Sequence, residues 1–484
     1  MNESYNLKGK PMTTRKLLVV LAIVQMWLVS TTVDGAVKLP SIIGDNMILQ
    51  REKPLPIWGT DDAGTKITVS LGDASATTTA DTDGKWRVTL PAMKSGGDAL
   101  TLKVDGTNSV TVKNILIGEV WLCSGQSNME WPVQASNNAK EEIAQSDHPR
   151  IRHIKIPHTP KDAPQDNVPS SGWQLSSPKT VAAFTAVGYF FGRNLHEELD
   201  VPIGLIGSNW GGTRIEPWTP PVGFKQVPAL KSITDNLDNL PAKNNKGAVH
   251  HQSPLALYNG MIHPLVPFAF RGALWYQGES NNGEGMLYHE KMKALIGGWR
   301  SVWKDEAMPF LFVQLAPYNY RGDGTRLPGI WEAQTATLKI PHTGMAVTVD
   351  IGNVKDIHPR NKQDVGKRLA LWALANTYGR KGLVYSGPLY KSMKIEGGKV
   401  RLSFDHVGGG LVSRDGKPLS WFTIAGADGK FVEATATIDG ETVVVGVDSV
   451  SAPKAVRFGW DQLAEPNLSN KDGLPASPFR TDGP

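Results

Sequence analysis

Ile115-Leu116-Ile117-Gly118-Glu119-Val120-Trp121-Leu122-Cys123 runs directly into Ser124-Gly125-Gln126-Ser127-Asn128-Met129-Glu130-Trp131. The first half is a nearly unbroken apolar run of strand length. The second half breaks it with Gly, Gln, Ser and Asn and then turns acidic, as the start of a helix does. A plain turn accounts for such a break. So does a nucleophile presented at a strand end, where a serine has its own N–H and a helix N-terminus beside it. The neighbouring segments decide between these readings.

Around this stretch, residues 115–380 alternate apolar strands with helical segments. Strands are expected at Gly118–Cys123, Ile203–Gly207, Gly272–Tyr276, Phe310–Gln314 and Ala346–Asp350. Helices are expected at Ala182–Glu198, Met286–Trp303, Ile330–Thr337 and Lys362–Tyr378, the last stopped by Gly379. That rhythm predicts an α/β fold with a parallel sheet covered by helices on both faces. On either side the pattern changes to period two. Thr65–Leu71, Trp86–Leu90 and Leu100–Val104 alternate, separated by Asp83-Gly84 and Asp105-Gly106. Lys399–Phe404 and Thr442–Val447 alternate later, with hairpins expected at Asp415-Gly416, Asp428-Gly429 and Asp439-Gly440. The expected organisation is therefore a β-sandwich-like domain at 37–114, an α/β domain at 115–380 and a β-rich domain at 381–484. The loop Pro157–Trp173 and the Asn/Lys-rich Asp235–Lys246 read as surface insertions.

Ahead of all three, Arg15 and Lys16 precede an apolar run from Leu17 to Val29, followed by polar and small residues. This is the layout of a secretory signal peptide over residues 1–36, too short for a comfortable membrane span. An exported protein, secreted or periplasmic, without stable membrane insertion after signal removal is expected. Cys123 is the only cysteine, so no intrachain disulfide can form. A net charge of +5 over 484 residues, with no basic cluster, argues against nucleic acid as a partner. The 15 tryptophans are numerous enough to supply flat faces for sugar rings as well as core.

Unusual residues gather where the expected strands end. Gly125-Gln126-Ser127-Asn128 follows the first, and Asn209-Trp210-Gly211-Gly212-Thr213-Arg214 the second. Gln277-Gly278-Glu279-Ser280-Asn281 follows the third, and Asp356-Ile357-His358-Pro359 lies beyond the last. In parallel α/β sheets ligands bind at the carboxyl ends of the strands. A serine there needs a base, which His358 can be, and the base needs an orienting carboxylate. An oxyanion needs donors. The N–H of Ser127, the backbone of Gly212 and a side-chain amide from Gln277 or Asn281 are the candidates. Each feature alone is ordinary turn chemistry; their convergence on one edge points to acyl transfer. Gly211-Gly212 is no phosphate loop, since no lysine follows at the required spacing.

Together GQSNMEW, NWGGTRIEPW, WYQGESN and DIHPRNKQDVGKRLAL resemble the sialate O-acetylesterase family of SGNH-type serine esterases. The resemblance implies a flavodoxin-like sheet, removal of O-acetyl groups from sialic acids or other acetylated glycans, and no metal or organic cofactor. It makes Ser127 the nucleophile, His358 the base and Gly212 an oxyanion residue, and favours Gln277 over Asn281 as the third donor. Asp356 is the implied acid, although it lies two rather than three residues before His358. Asp350, or a Ser–His dyad leaning on a backbone carbonyl, is the alternative. Arg214 is a candidate to bind a substrate carboxylate, with an ion pair to Glu216 as the plainer reading; Asn281 is a second candidate substrate contact. An acetylxylan or other hemicellulose acetylesterase is the alternative within the same chemistry. A glycan-binding or adhesion protein is the alternative outside it.

Overall fold

The computed structural model describes residues 36–483. The signal peptide expected at 1–36 lies outside the described residues, apart from Ala36. The chain begins with short strands β1 (Ile48–Gln50), β2 (Leu55–Thr60), β3 (Lys66–Leu71), β4 (Ala74–Thr79), β5 (Lys85–Leu90) and β6 (Leu100–Asp105). β2 pairs with β5, and β3 pairs antiparallel with β4 and β6. Their alternation is the one read from sequence: Ile67, Val69 and Leu71 are buried, while Lys66, Thr68 and Ser70 face outward.

Next comes β7 (Ser109–Gly125), 17 residues long. Its first half is antiparallel to β6, and from Trp121 onward it lies between two parallel neighbours. One strand therefore carries the chain from an antiparallel sheet into the parallel one. The parallel sheet adds β8 (His148–Lys155), β10 (Ile203–Asn209), β11 (Gly272–Tyr276), β12 (Phe310–Val313) and β13 (Thr343–Ala346), with β9 (Gln174–Ser176) antiparallel at the edge. The spatial order is β13-β12-β11-β7-β10-β8-β9.

Side-chain alternation puts helices on both faces of this sheet. Trp121 of β7 meets Phe191 of the Ala186–Leu199 helix edge-on, ring centres 4.9 Å apart. Trp275 of β11 is the register partner of Ser124, so it points to the opposite face. There it meets Trp299 of the Leu287–Trp303 helix at 6.0 Å. Both strands are buried on each side, which explains their unbroken apolar character.

The folded chain departs from these expectations in several places. β8 carries no strand signature in sequence, because HPRIRHIK mixes charge into it, yet Arg152 and His153 are buried. Arg152 answers by donating to the carbonyls of Asn46 and Asn114. The last parallel strand ends at Ala346, so Asp350 lies in a turn beyond it rather than on its end. The Lys362 helix is α-helical to Trp372 and then widens into a π turn over Ala373–Thr377. Asp415-Gly416 closes no hairpin, because Leu411–Ser413 pairs instead with Leu468–Asn470. The Asp428-Gly429 and Asp439-Gly440 turns do join paired strands. Beyond residue 388 the chain forms separate antiparallel sheets around their own core of Val400, Leu402, Phe422, Ile424, Val443 and Phe458. Among the described residues no helix is long and apolar enough to cross a membrane.

Glu119 anchors the passage between the two halves of β7. Its fully buried carboxylate accepts from Arg271 through two bonds of 2.8 Å, from Gln50 at 3.0 Å and from Arg51. Burial pushes its pKa up, but Arg271, Arg51 and Gln50 outweigh burial and hold it below the usual carboxylate range. Glu119→Ala leaves Arg271 and Arg51 without their buried partner. It is expected to lower unfolding stability by about 3–5 kcal/mol, measured by urea denaturation.

Candidate active site

The carboxyl ends of three adjacent strands stop at one level. Gly125 of β7 is in register with Asn209 of β10 on one side and with Tyr276 of β11 on the other. A Cβ on Gly125 would lie 2.2 Å from the carbonyl oxygen of Tyr276, and its φ is +134°. Only glycine lets the chain turn at this point. The Gln126 N–H is bonded to that same carbonyl at 3.0 Å, and a single helical turn, Ser127–Glu130, follows.

Ser127 is therefore lifted to the rim, and His358 meets it there. Ser127 Oγ and His358 Nε2 are 2.8 Å apart. Trp131 stacks on the imidazole with ring centres 5.1 Å apart and planes 18° from parallel. Partial burial lowers the His358 pKa from its ordinary 6.5, Lys362 lowers it further, and Asp356 opposes both. Asp356 Oδ1 stands 4.0 Å from His358 Nδ1, beyond hydrogen-bond range. That oxygen instead accepts the backbone N–H of His358 at 2.9 Å. Asp350, the rival carboxylate, is held by both terminal nitrogens of Arg368 at 2.7 and 2.6 Å.

Two backbone donors near the rim have no partner among the described residues. Among the described residues neither the Ser127 N–H nor the Gly212 N–H makes a hydrogen bond. Gly212 has φ +74° and open space where a side chain would stand. Its loop is braced by Glu130 and Gln252. The Gly211 N–H donates to Glu130 Oε2 at 2.8 Å, Gln252 Nε2 donates to the Gly212 carbonyl at 2.6 Å, and the Arg214 N–H donates to Gln252 Oε1 at 3.0 Å. A Cβ on Gly211 would stand 3.3 Å from Ser127 Cβ, so this loop lies against the serine.

The amides expected near the oxyanion are occupied elsewhere. Gln277 is fully buried, and its Nε2 donates within the scaffold to Asn281 Oδ1 (2.8 Å), Gln126 Oε1 (3.1 Å) and the Thr213 carbonyl (3.1 Å). Asn281 is buried too, donating to Glu216 and Glu284 and accepting from the Ile215 N–H. Neither has an N–H left for a substrate oxygen. Arg214 takes the plainer of its two expected partners: it pairs with Glu216 at 3.2 Å and with Glu284. Lys291 holds the same two carboxylates at 2.7 and 2.6 Å.

Beneath the serine and histidine lies a buried group that sequence reading did not assemble. Asn128 Nδ2 donates to Glu279 Oε1 at 2.5 Å and to the Ile357 carbonyl at 3.0 Å. Lys362 Nζ donates to Asn128 Oδ1 at 2.5 Å. Asn128 thus follows the serine in sequence while gripping the peptide unit just ahead of the histidine. Burial drives the Lys362 pKa down to about 7 despite attraction from Glu279 and Asp356. Burial raises that of Glu279, which the Asn128 bond opposes. The signal available in sequence was spacing alone: Lys362 lies four residues after His358, within the same DIHPRNK segment. Cys123, two residues before the strand end at Gly125, is fully buried, and burial pushes its thiol pKa up, so it is inert. Among the described residues no group of His, Cys, Asp and Glu is arranged to hold a metal.

The family model for carbohydrate esterase, sialic acid-specific acetylesterase, matches residues 117–375. Sialate O-acetylesterase of Pongo abelii is 30% identical, covering 91% of this chain and 92% of its own. The human sialate O-acetylesterase is also 30% identical, over 91% and 92%. A crystal structure of a carbohydrate acetylesterase from Xanthomonas citri superposes with a TM-score of 0.85 at 41% identity, covering 92% of this chain and all of that one. Fold, site and relatives define the class: a carboxylic ester hydrolase. Within that class the chain belongs to the carbohydrate esterase family of sialic acid-specific acetylesterases.

The His358 imidazole is expected to titrate below 6.5 by NMR. Lys362→Met removes a positive charge that disfavours the imidazolium, so it should move that titration to higher pH.

Proposed function

We propose that this protein is an exported serine esterase that removes O-acetyl groups from sialic acids through an acyl-enzyme. The observation that carries the reading is the 2.8 Å contact between Ser127 Oγ and His358 Nε2. Ser127 Oγ attacks the acetyl carbonyl carbon while His358 Nε2 takes its proton. The carbonyl oxygen becomes an oxyanion facing the free N–H groups of Ser127 and Gly212. On collapse His358 gives the proton to the sugar oxygen, which leaves as a hydroxyl. Water then attacks the acetyl-serine with His358 again as base, and acetate departs.

Asp356 acts on this cycle as a charge near the imidazolium rather than as a hydrogen-bonded orienter, which makes the unit a dyad with a weak third member. Orientation of the ring falls to Trp131 and to the Asn128 grip on Ile357. Gln277 and Asn281 brace the floor, and Arg214, with 40% of its side chain exposed, remains the candidate contact for a sialic acid carboxylate. The strand order β10-β7-β11-β12-β13 supports a flavodoxin-like description of the central sheet. The domain limits at 114 and 380, and a signal peptide directing the protein to a periplasm or outside the cell, complete the proposal.

A second reading is an acetylesterase of another glycan, such as acetylated xylan. It is favoured by the 41% identity to the Xanthomonas citri carbohydrate acetylesterase, above the 30% shared with the sialate enzymes.

Ser127→Ala is expected to reduce acetate release by about 10⁴-fold or more. Asp356→Asn should cost on the order of tenfold at most, as for a part-exposed ion pair of about 1 kcal/mol. A loss with Asp356→Asn equal to that of Ser127→Ala would restore a full triad. Since His358 serves as base only when neutral, the acid limb of kcat/KM should fall below pH 6.5, read on p-nitrophenyl acetate. Acetate release from O-acetylated mucin against acetylated xylan separates the two substrate readings.

A further inference from the structure

A groove of about 580 Å³ opens on the C-terminal β region, away from the serine. It forms on a small antiparallel sheet where Phe422 pairs with Phe458, Ile424 with Val456, and Thr423 with both Arg457 and Glu433. Alternation sends Phe422, Ile424, Val456 and Phe458 into the core. Thr423, Glu433 and Arg457 are left as a row on the open face. Trp421, Phe431 and Trp460 line the groove alongside them.

Trp421 is held there at a conformational cost. It has φ +63°, a left-handed backbone that a bulky residue rarely adopts. It is 41% exposed although a packed sheet face lies one residue away. A strained backbone that keeps an indole at a rim is the kind of feature that clusters at ligand sites.

The charges around the groove choose the ligand. Arg457 is tied to Asp482 through two bonds, 3.1 and 2.6 Å, and stacks over the Phe431 ring at 3.9 Å. Arg480 lies over Trp460 at 5.1 Å and is tied to Glu332 at 2.8 and 2.9 Å. Each guanidinium is therefore already neutralised. Glu433 is exposed and has no ion-pair partner among the described residues. Flat apolar rings interleaved with hydrogen-bond acceptors, and no spare positive charge, suit a neutral sugar ring with hydroxyl donors. They do not suit an anionic one.

A hydrogen-bonded loop links the groove wall to the segment that carries His358. Trp460 and Asp461 lead into Gln462. Its carbonyl accepts the Tyr318 N–H at 3.0 Å, its N–H donates to the Gly324 carbonyl at 2.8 Å, and its Oε1 accepts the Tyr320 N–H at 3.1 Å. In the same loop the Asn319 N–H donates to the Val354 carbonyl at 3.0 Å, two residues before Asp356. One loop, residues 318–324, thus touches both the groove wall and the segment that carries His358.

We propose that the groove lined by Trp421, Phe431 and Trp460 binds the uncharged pyranose chain of a polymeric glycan whose acetyl groups are presented to Ser127. The inference rests on the serine-esterase chemistry of the proposed function and takes its second substrate reading, an acetylated neutral polysaccharide, in place of the sialic acid one. The test uses the full-length Ser127→Ala protein, which retains the groove without turnover, titrated calorimetrically with acetylated xylan, deacetylated xylan and O-acetylated sialic acid chains. Binding of both xylans is expected, because the groove reads the backbone and not the ester. Adding Trp421→Ala should weaken it about tenfold, and Trp421→Tyr, which keeps an aromatic face, should restore most of it. In the active enzyme Trp421→Ala should raise the ratio of KM for acetylated xylan to KM for p-nitrophenyl acetate by a similar factor. Absence of xylan binding, binding indifferent to Trp421→Ala, or binding of sialic acid chains alone would overturn the proposal. Failure of the esterase reading would show separately, as no hydrolysis of p-nitrophenyl acetate by the protein with Ser127 intact.

Discussion

The missing side chain of Gly125 sets the site. Its backbone is pressed against the Tyr276 carbonyl, and the same carbonyl takes the next N–H, from Gln126. Those two facts end β7 level with its neighbours and turn the chain at once into a helical step. Ser127 then stands above three strand ends rather than within one. A larger residue at 125 would push β7 away from β11 and carry the serine with it. The loop bearing Gly212 lies against the serine for a related reason. The Trp210 N–H is bonded to the Gly125 carbonyl at 3.0 Å, so β7 also positions the start of the Gly211-Gly212 turn.

A rim fixed in this way still needs its histidine aligned, and the expected carboxylate does little of that. Asp356 gives its oxygen to the His358 backbone and so shapes the loop. Trp131 stacks on the ring itself, and a buried Asn128 holds the backbone just ahead of it by joining the serine turn to the Ile357 carbonyl. Lys362 and Glu279 complete Asn128's hydrogen bonds at the expense of burying two ionisable groups. Such a polar group is tolerated in a core only when it is nearly saturated, and here it ties the turn that bears Ser127 to the segment that bears His358. Glu279 Oε2 is the one oxygen of the group without a partner among the described residues, in keeping with its raised pKa.

The strand ends were legible in sequence because doubly buried strands read as unbroken apolar runs and their loops break those runs with Gly, Asn and Ser. Ser127, Gly212 and His358 could be placed on one edge for that reason, and Ser127 and His358 are in contact. The bonds that Gln277 and Asn281 make in the fold were not legible, because an amide looks the same in sequence whether its protons face a ligand or a neighbouring carbonyl. Lys362 reads as an ordinary first-turn lysine, since burial of one side of a helix start depends on a loop hundreds of residues earlier. β8 was invisible for the opposite reason: its buried Arg152 is satisfied by carbonyls that only the folded chain brings near.

The central claim is that the 127 hydroxyl is the group activated by the 358 imidazole. A serine-directed phosphonate ester, followed by peptide mass mapping of wild type and His358→Ala, tests it without depending on which sugar is the substrate. An adduct on Ser127 in the wild type and a strongly slowed reaction in His358→Ala are expected. An adduct on a different residue, or one that forms on Ser127 at the same rate without the imidazole, would contradict it.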